Sequence, residues 1–367
     1  MFITVIIQVA QFVKSLKRIF KMRFSLFVHM ERVSDQQTQK QLYEEMIELC
    51  QIADKGGMHA IWTGEHHAMN FTIAPNPFIN LVDIANKTKN VRLGTGTVVA
   101  PFWHPIKLAG EAAMTDIITN GRLDIGIARG AYSFEYERMV PGMDAWSAGQ
   151  RLREMIPAVK NLWKGDYEHN GEFWQFPKTT SAPQPLQQPH PPIWVAARDP
   201  NSHEFAVQNG CNVQVTPLHF GDDEVEKLMG HFNAACEKFA DTVPRPEIML
   251  LRHTYVADSE EDAQVAAEEI NAFYNYFGAW FKNEREINQG LIAPISKEEM
   301  AAHPFYTPEA MRKNNVIGQA QEVIDRLKVY EAMGYNEYSF WIDTGMSFER
   351  KKASLERMIN EVMPAFA

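Results

Sequence analysis

From Arg23 to the C-terminus the chain passes eight times from a short β-rich apolar run into a helical period, with no internal repeat and no flexible linker. This alternation limits the fold more than any other feature, because a strand–helix–strand unit returns each strand parallel to the one before it. The strands read as Arg23–Met30, Ala60–His66, Val91–Ala100, Leu123–Gly130, Ile193–Arg198, Asn212–Leu218, Glu247–Ala257 and Glu337–Asp343. The first helix, Thr38–Lys55, lines up Leu42, Met46, Leu49, Ile52 and Ala53 on one face and stops at Gly56-Gly57. Further helices are expected at Asn76–Thr88, at Pro105–Thr119 with proline in its first turn, and at Ala148–Trp163, Asn201–Asn209 and Asp222–Phe239. Ser259-Glu-Glu-Asp262 reads as a capping box that opens a helix to Lys282, and Gly318–Met333 and Phe348–Phe366 complete the set. Eight strands, each followed by a helix, is the count of a (β/α)8 TIM barrel. A doubly wound sheet would more often carry a glycine fingerprint after its first strand, and none is present.

Two stretches interrupt the alternation. Lys164–Pro192 is rich in aromatics and prolines and reads as a surface excursion with a small hairpin around Glu172–Phe176. Asn283–Val316 follows strand seven and its helix, reads as irregular apart from a helix start at Thr307-Pro308-Glu309, and is expected to be a lid (283–316). The first 21 residues are expected to lie outside the fold, leaving 22–367 as one domain. Their apolar run precedes Lys14, Lys17, Arg18 and Lys21, the reverse of a secretory signal, and is too short to span a bilayer, which needs about 20 apolar residues. At roughly 150 residues per domain the length suggests two domains, but one barrel absorbs it.

With 36 basic and 46 acidic side chains the net charge is −10, which argues against a nucleic-acid partner. Cys50, Cys211 and Cys236 show no CxxC spacing, which excludes a thiolate zinc site or disulfide framework and fits the cytoplasm. No membrane association is expected.

Barrel chemistry gathers at the C-terminal ends of the strands. Strand two ends in Trp62-Thr-Gly-Glu-His-His67. His66 and His67 would point to opposite faces of a strand, so a shared metal is not expected, while a general acid/base role and a structural one stay open. Arg129 stands in the mouth after an apolar strand, where its partner is either a carboxylate or a phosphate. Arg198-Asp-Pro-Asn-Ser202 begins a helix whose free N–H groups could cradle an anion, with Arg151 as a third donor. Gly94-Thr-Gly-Thr97 is no phosphate loop, and its glycines suggest close approach of a backbone or a flat ring. Phe273, Tyr274, Tyr276, Phe277, Trp280 and Phe281 suit helix packing, and some could line an apolar pocket.

At these residues the chain resembles the bacterial luciferase-like family of flavin-dependent monooxygenases. The most specific part is Ile61-Trp-Thr-Gly-Glu-His-His67 with Asn76-Pro-Phe78. It continues through Gly94–Pro105, Gly121-Arg-Leu-Asp-Ile-Gly-Ile-Ala-Arg-Gly130, Ile193-Trp-Val-Ala-Ala197, Ile317-Gly318 and Val362-Met-Pro364. The resemblance implies a TIM barrel, usually dimeric, that binds FMN reduced by a separate flavin reductase. It implies His66 as the catalytic residue and a cofactor site of Glu65, Gly96, Thr97, Arg129, Tyr132, Arg151, Ala197, Arg198 and Asn201, with no metal. Its non-prolyl cis peptide would fall at Gly96-Thr97. The reaction expected is insertion of one oxygen atom from O2, through a flavin C4a-hydroperoxide, into a small apolar substrate. Ala128 replaces the cysteine that luciferases carry before the phosphate arginine, which tells against luminescence. Hydride transfer with a flavin or deazaflavin on the same barrel, and non-catalytic flavin binding, are the alternatives.

Overall fold

The computed structural model describes residues 21–282 and 284–367. The reading of the N-terminal segment therefore falls, apart from Lys21, outside the described residues. Eight parallel strands close into a barrel: β1 (Arg23–Phe27), β2 (Ala60–Thr63), β3 (Arg92–Thr95), β5 (Leu123–Ala128), β8 (Ile193–Ala196), β9 (Asn212–Val215), β10 (Ile248–Ala257) and β14 (Glu337–Trp341). The ring closes because β14 pairs with both β1 and β10, and β10 pairs in turn with β9. Between β3 and β5 the chain makes a cis peptide at Gly96–Thr97 and resumes as β4 (Val98–Val99), which pairs with β5. The expected third strand is therefore two short pieces.

Helices α1 (Gln39–Lys55), α2 (Pro77–Lys87) and α3 (Pro105–Ile118) follow the first three strands. Thr38, Asn76 and His104 cap them through side chains that accept backbone N–H groups. After β5 come a short α4 (Ser133–Met139), which the sequence reading lacked, and α5 (Ala145–Lys164). The excursion forms a hairpin of β6 (Tyr167–Asn170) and β7 (Gln175–Thr179), around the region where a small hairpin was expected. Next come α6 (Pro200–Gln208), α7 (Asp222–Lys238) and α8 (Glu260–Lys282). Ser259 caps α8 by accepting from Asp262 N–H, but the Asp262 carboxylate reaches back to Asp258 N–H, one residue short of a reciprocal box.

The segment expected to be irregular is ordered. It holds a hairpin of β11 (Ile287–Asn288) and β12 (Leu291–Ile292), then α9 (Lys297–Ala301) and α10 (Pro308–Asn314). Ser296 and Glu299 make a complete capping box on α9, and Ile292, Met300 and Met311 are buried. Asn70, in the loop after β2, binds the hairpin through its backbone N–H on Gly290 and its amide on Gln289. Val316–Gln319 forms a further strand, β13, on the distal half of β10, so α11 (Ala320–Met333) starts two residues later than its apolar pattern suggested. The closing helix α12 (Phe348–Arg357) widens into a π turn at Met358–Val362 and then tightens into a 3-10 turn up to Phe366.

Inside the barrel the Trp62 ring lies across Gly94, where a Cβ would stand 2.0 Å from an indole carbon. The flat ring suspected beside these glycines is thus the chain's own. Among the described residues no helix is long and apolar enough to cross a membrane.

Candidate active site

Strand β2 ends at Thr63, so Glu65, His66 and His67 sit in the loop beyond it, and the alternation of a strand does not separate the two imidazoles. Two buried carboxylates separate them instead. Glu65 accepts Val99 N–H at 2.8 Å and the Trp103 indole N–H at 2.9 and 3.0 Å, and His67 Nε2 lies 2.7 Å from it. Both oxygens are engaged, which ties the β2 loop to the turn after β4. Glu135, from α4, lies 3.0 Å from His66 Nδ1 and accepts the His67 backbone N–H at 2.7 Å. Among the described residues no group of three or more His, Cys, Asp or Glu side chains could hold a metal.

His66 lies on the rim of a cleft of about 460 Å³ that also touches Tyr43, Met69, Asn70, Thr72 and Gly290. Its ring meets an aromatic wall: His29 at 5.1 Å, Phe71 at 5.2 Å and Tyr132 at 5.4 Å. The wall continues through Phe277, which packs on Phe71 at 5.3 Å, to Trp341, on which His253 stacks at 4.0 Å. Burial drives the basicity of His29 well below that of a free imidazole, and a proton on His66 or His253 would oppose one on His29 further. The same effect, with Arg252 alongside, lowers His253 to about 3, so both rings are neutral. Neither ring nitrogen of His253 has a hydrogen-bond partner, nor has the buried Tyr274 hydroxyl.

The expected phosphate donors differ in their surroundings. Arg129 is exposed at the end of β5, donates to Ala145 C=O at 3.2 Å and has no carboxylate partner among the described residues. Arg198 pairs with Glu224 at 3.0 Å. Arg151 lies over the Phe173 ring at 4.6 Å in the β6–β7 turn, with its Nε buried and unpartnered. Asn201 is exposed and its carbonyl accepts from Arg153, while Ala197 is buried with its N–H on Gln214 C=O. At the α6 N-terminus, expected to offer free N–H groups, Asp199 accepts the Ser202 N–H, and Ser202 Oγ accepts the Arg198 N–H. The cis peptide at Gly96–Thr97 is where the resemblance puts it.

Sequence reasoning missed Glu135, His29, Glu31 and His253. The signal for Glu135 was faint, a lone acid among Tyr132, Phe134 and Tyr136 in a segment too short for a clear period.

A family model described as luciferase-like monooxygenase matches residues 22–337. The chain belongs to the luciferase-like monooxygenases. It is 92% identical over 346 residues to the oxygenase component of the flavin-dependent trigonelline monooxygenase of Acinetobacter baylyi, covering 94% of this chain and 96% of that protein. Among solved structures it is similar to the monooxygenase RslO1 of Streptomyces bottropensis, with a TM-score of 0.78 and 27% identity over 94% of this chain and all of that one. The oxygenating constituent of a Pseudomonas putida 3,6-diketocamphane monooxygenase, solved with FMN, shares the fold at a TM-score of 0.75 and 20% identity, covering 94% and 98% of the two chains. This luciferase-like enzyme is a flavin-dependent monooxygenase, an oxygenase component, which sets aside the hydride-transfer and non-catalytic readings.

The residues present suit a flavin phosphate. Among the described residues Arg129 is a cation without a carboxylate partner at the mouth of the barrel, and its side chain passes over Gly149, where a Cβ would stand 3.9 Å from it. A dianionic phosphate would supply a bidentate partner for it.

Proposed function

We propose that the chain inserts one oxygen atom of O2 into trigonelline, or a closely similar N-methylated pyridine carboxylate, with FMN that a separate flavin reductase has reduced. The 92% identity to the A. baylyi oxygenase component carries this reading. Trigonelline is a flat aromatic ring with a fixed positive charge and a carboxylate. A wall of Phe71, Tyr132, Phe277 and Trp341 suits such a ring through stacking and cation–π attraction. The apolar substrate expected from the aromatic run gives way, in this reading, to a charged ring.

Bound reduced FMN supplies the electrons that activate O2. Arg129 would hold its phosphate, with Arg151, Arg198 and Asn201 as further groups at that end, and the Gly96–Thr97 turn would contribute to binding its ring. A Glu135 carboxylate accepts and cannot donate, so His66 Nδ1 carries the proton and Nε2 is left to take or return one at the reacting centre. The buried rings exclude water, and residues 284–316 keep the mouth covered. Ile79 on α2 and Met114, Ile117 and Ile118 on α3 are large apolar side chains left exposed, which supports a homodimer.

The test supplies the purified protein with a flavin reductase, NADH as the electron donor, FMN, trigonelline and isotopically heavy O2. One heavy oxygen atom per product molecule is expected, and a product without it would refute the reading.

A further inference from the structure

We propose that Glu31 recognises the fixed positive charge of the substrate, so that the site selects N-alkylated pyridinium rings over pyridines without that charge. The choice of probe rests on the trigonelline reading above; the site itself rests on the following geometry.

Glu31 lies in the mouth beyond β1 and is 3% exposed. Its Oε1 accepts the Trp341 indole N–H at 3.1 Å and lies 3.2 Å from His29 Nδ1. Its Oε2 is buried, with no hydrogen-bond partner among the described residues. Among the described residues, the groups facing it supply one ammonium for two carboxylates. Asp343 places one oxygen on the backbone N–H groups of His29 and Met30, at 2.7 and 3.0 Å, and the other on Lys351 Nζ at 2.8 Å. Two buried carboxylates thus share one ammonium. His29 and His253 are held neutral by burial, and Tyr132 and Tyr274, also near Glu31, are uncharged.

A buried carboxylate short of a counterion is unfavourable, and burial together with Asp343 disfavours its ionisation. A ligand with a permanent cation removes that deficit, because it brings a charge that cannot be lost by deprotonation. The rings around Glu31 add the second element of such a site. Trp341 and His29 lie 5.6 Å apart, and Phe71 packs on His29 at 4.8 Å. Aromatic faces beside a carboxylate are the usual surroundings of a quaternary nitrogen. His66, 5.1 Å from His29, places these rings beside the catalytic imidazole.

Calorimetric titration of the FMN-loaded protein with trigonelline, N-methylpyridinium and nicotinate tests this. Wild-type protein should bind the two methylated rings more tightly than nicotinate. Glu31→Gln should weaken both methylated rings on the order of tenfold to a hundredfold and leave nicotinate unchanged. Glutamine keeps the size of the side chain and an acceptor for the Trp341 N–H, so a purely structural Glu31 predicts no change for any ligand. Glu31→Asp, which keeps the charge, should recover part of the affinity. Equal affinities in wild type and Glu31→Gln overturn the proposal, as does failure of the wild type to bind either methylated ring. If trigonelline is oxygenated with a KM that Glu31→Gln leaves unmoved, the functional reading stands and this one falls. If N-methylpyridinium binds through Glu31 but trigonelline is not oxygenated, the reverse holds.

Discussion

Glu135 and His66 stand 69 positions apart in sequence and 3.0 Å apart in space, and the second oxygen of Glu135 fixes the backbone of His67 at 2.7 Å. One carboxylate therefore sets both the ring tautomer of His66 and the path of the loop that carries it. An imidazole with Nδ1 held protonated presents a basic Nε2, and a ring without that partner divides between two tautomers.

Glu135→Gln should therefore lower kcat by roughly tenfold to a hundredfold, in the range found for partners that orient a functional imidazole. His66→Ala should suppress product formation further while leaving FMN affinity unchanged. Steady-state turnover and flavin fluorescence titration of the two variants check this. A Glu135→Gln enzyme with wild-type kcat and an unmoved pH profile would remove the orienting role.

The arginines at the mouth should not be equivalent. Arg129 has no carboxylate partner, whereas Arg198 is neutralised by Glu224 at 3.0 Å. Arg129→Ala should weaken FMN by about tenfold or more and leave riboflavin, which lacks the phosphate, unaffected. Arg198→Ala should have the smaller effect on the ratio of FMN to riboflavin affinity. Titrating both flavins against both variants decides it, and equal losses for riboflavin would show that Arg129 shapes the loop rather than grips a phosphate.

The barrel was legible because each strand and helix announces itself within a dozen residues. Its edges were not. Strands one and two were read past Phe27 and Thr63 because apolar and aromatic residues continue into the mouth, where they line the site rather than pair. Val316–Gln319 was missed as a strand because its partner is the far half of β10, about sixty residues away. His66 and Arg129 could be found through their local motifs. Glu135 could not, because its function is defined by a partner 69 positions distant, and Glu31 meets Trp341 across 310.

Gly94 offers a prediction about stability. A Cβ at that position would lie 2.0 Å from the Trp62 ring, which is itself 1% exposed and donates its indole N–H to Glu337 at 2.8 Å. The ring has little room to retreat, so Gly94→Ala should destabilise the fold by about 1–3 kcal/mol, as overpacking of a filled core does. Denaturant unfolding measures it. An unchanged midpoint would mean that the barrel interior is looser than the Trp62 contacts indicate.

Glu337 links that same interior to pH. Burial raises its carboxyl from an ordinary 4.5 to about 7, against the opposing pull of Arg23 and the Trp62 indole N–H. The folded chain thus holds the Glu337 proton more tightly than the unfolded one. Its contribution to stability is complete below pH 4.5, declines as the pH rises through about 7, and is absent above that. Glu337→Gln imitates the protonated carboxyl at every pH and should lack this decline. The Tm of the variant relative to wild type should therefore rise between pH 5 and pH 8, by an amount on the order of 2–3 kcal/mol in stability. Thermal unfolding of both proteins at a series of pH values tests the point, and a constant difference across that range would mean that Glu337 is ionised in the folded barrel throughout.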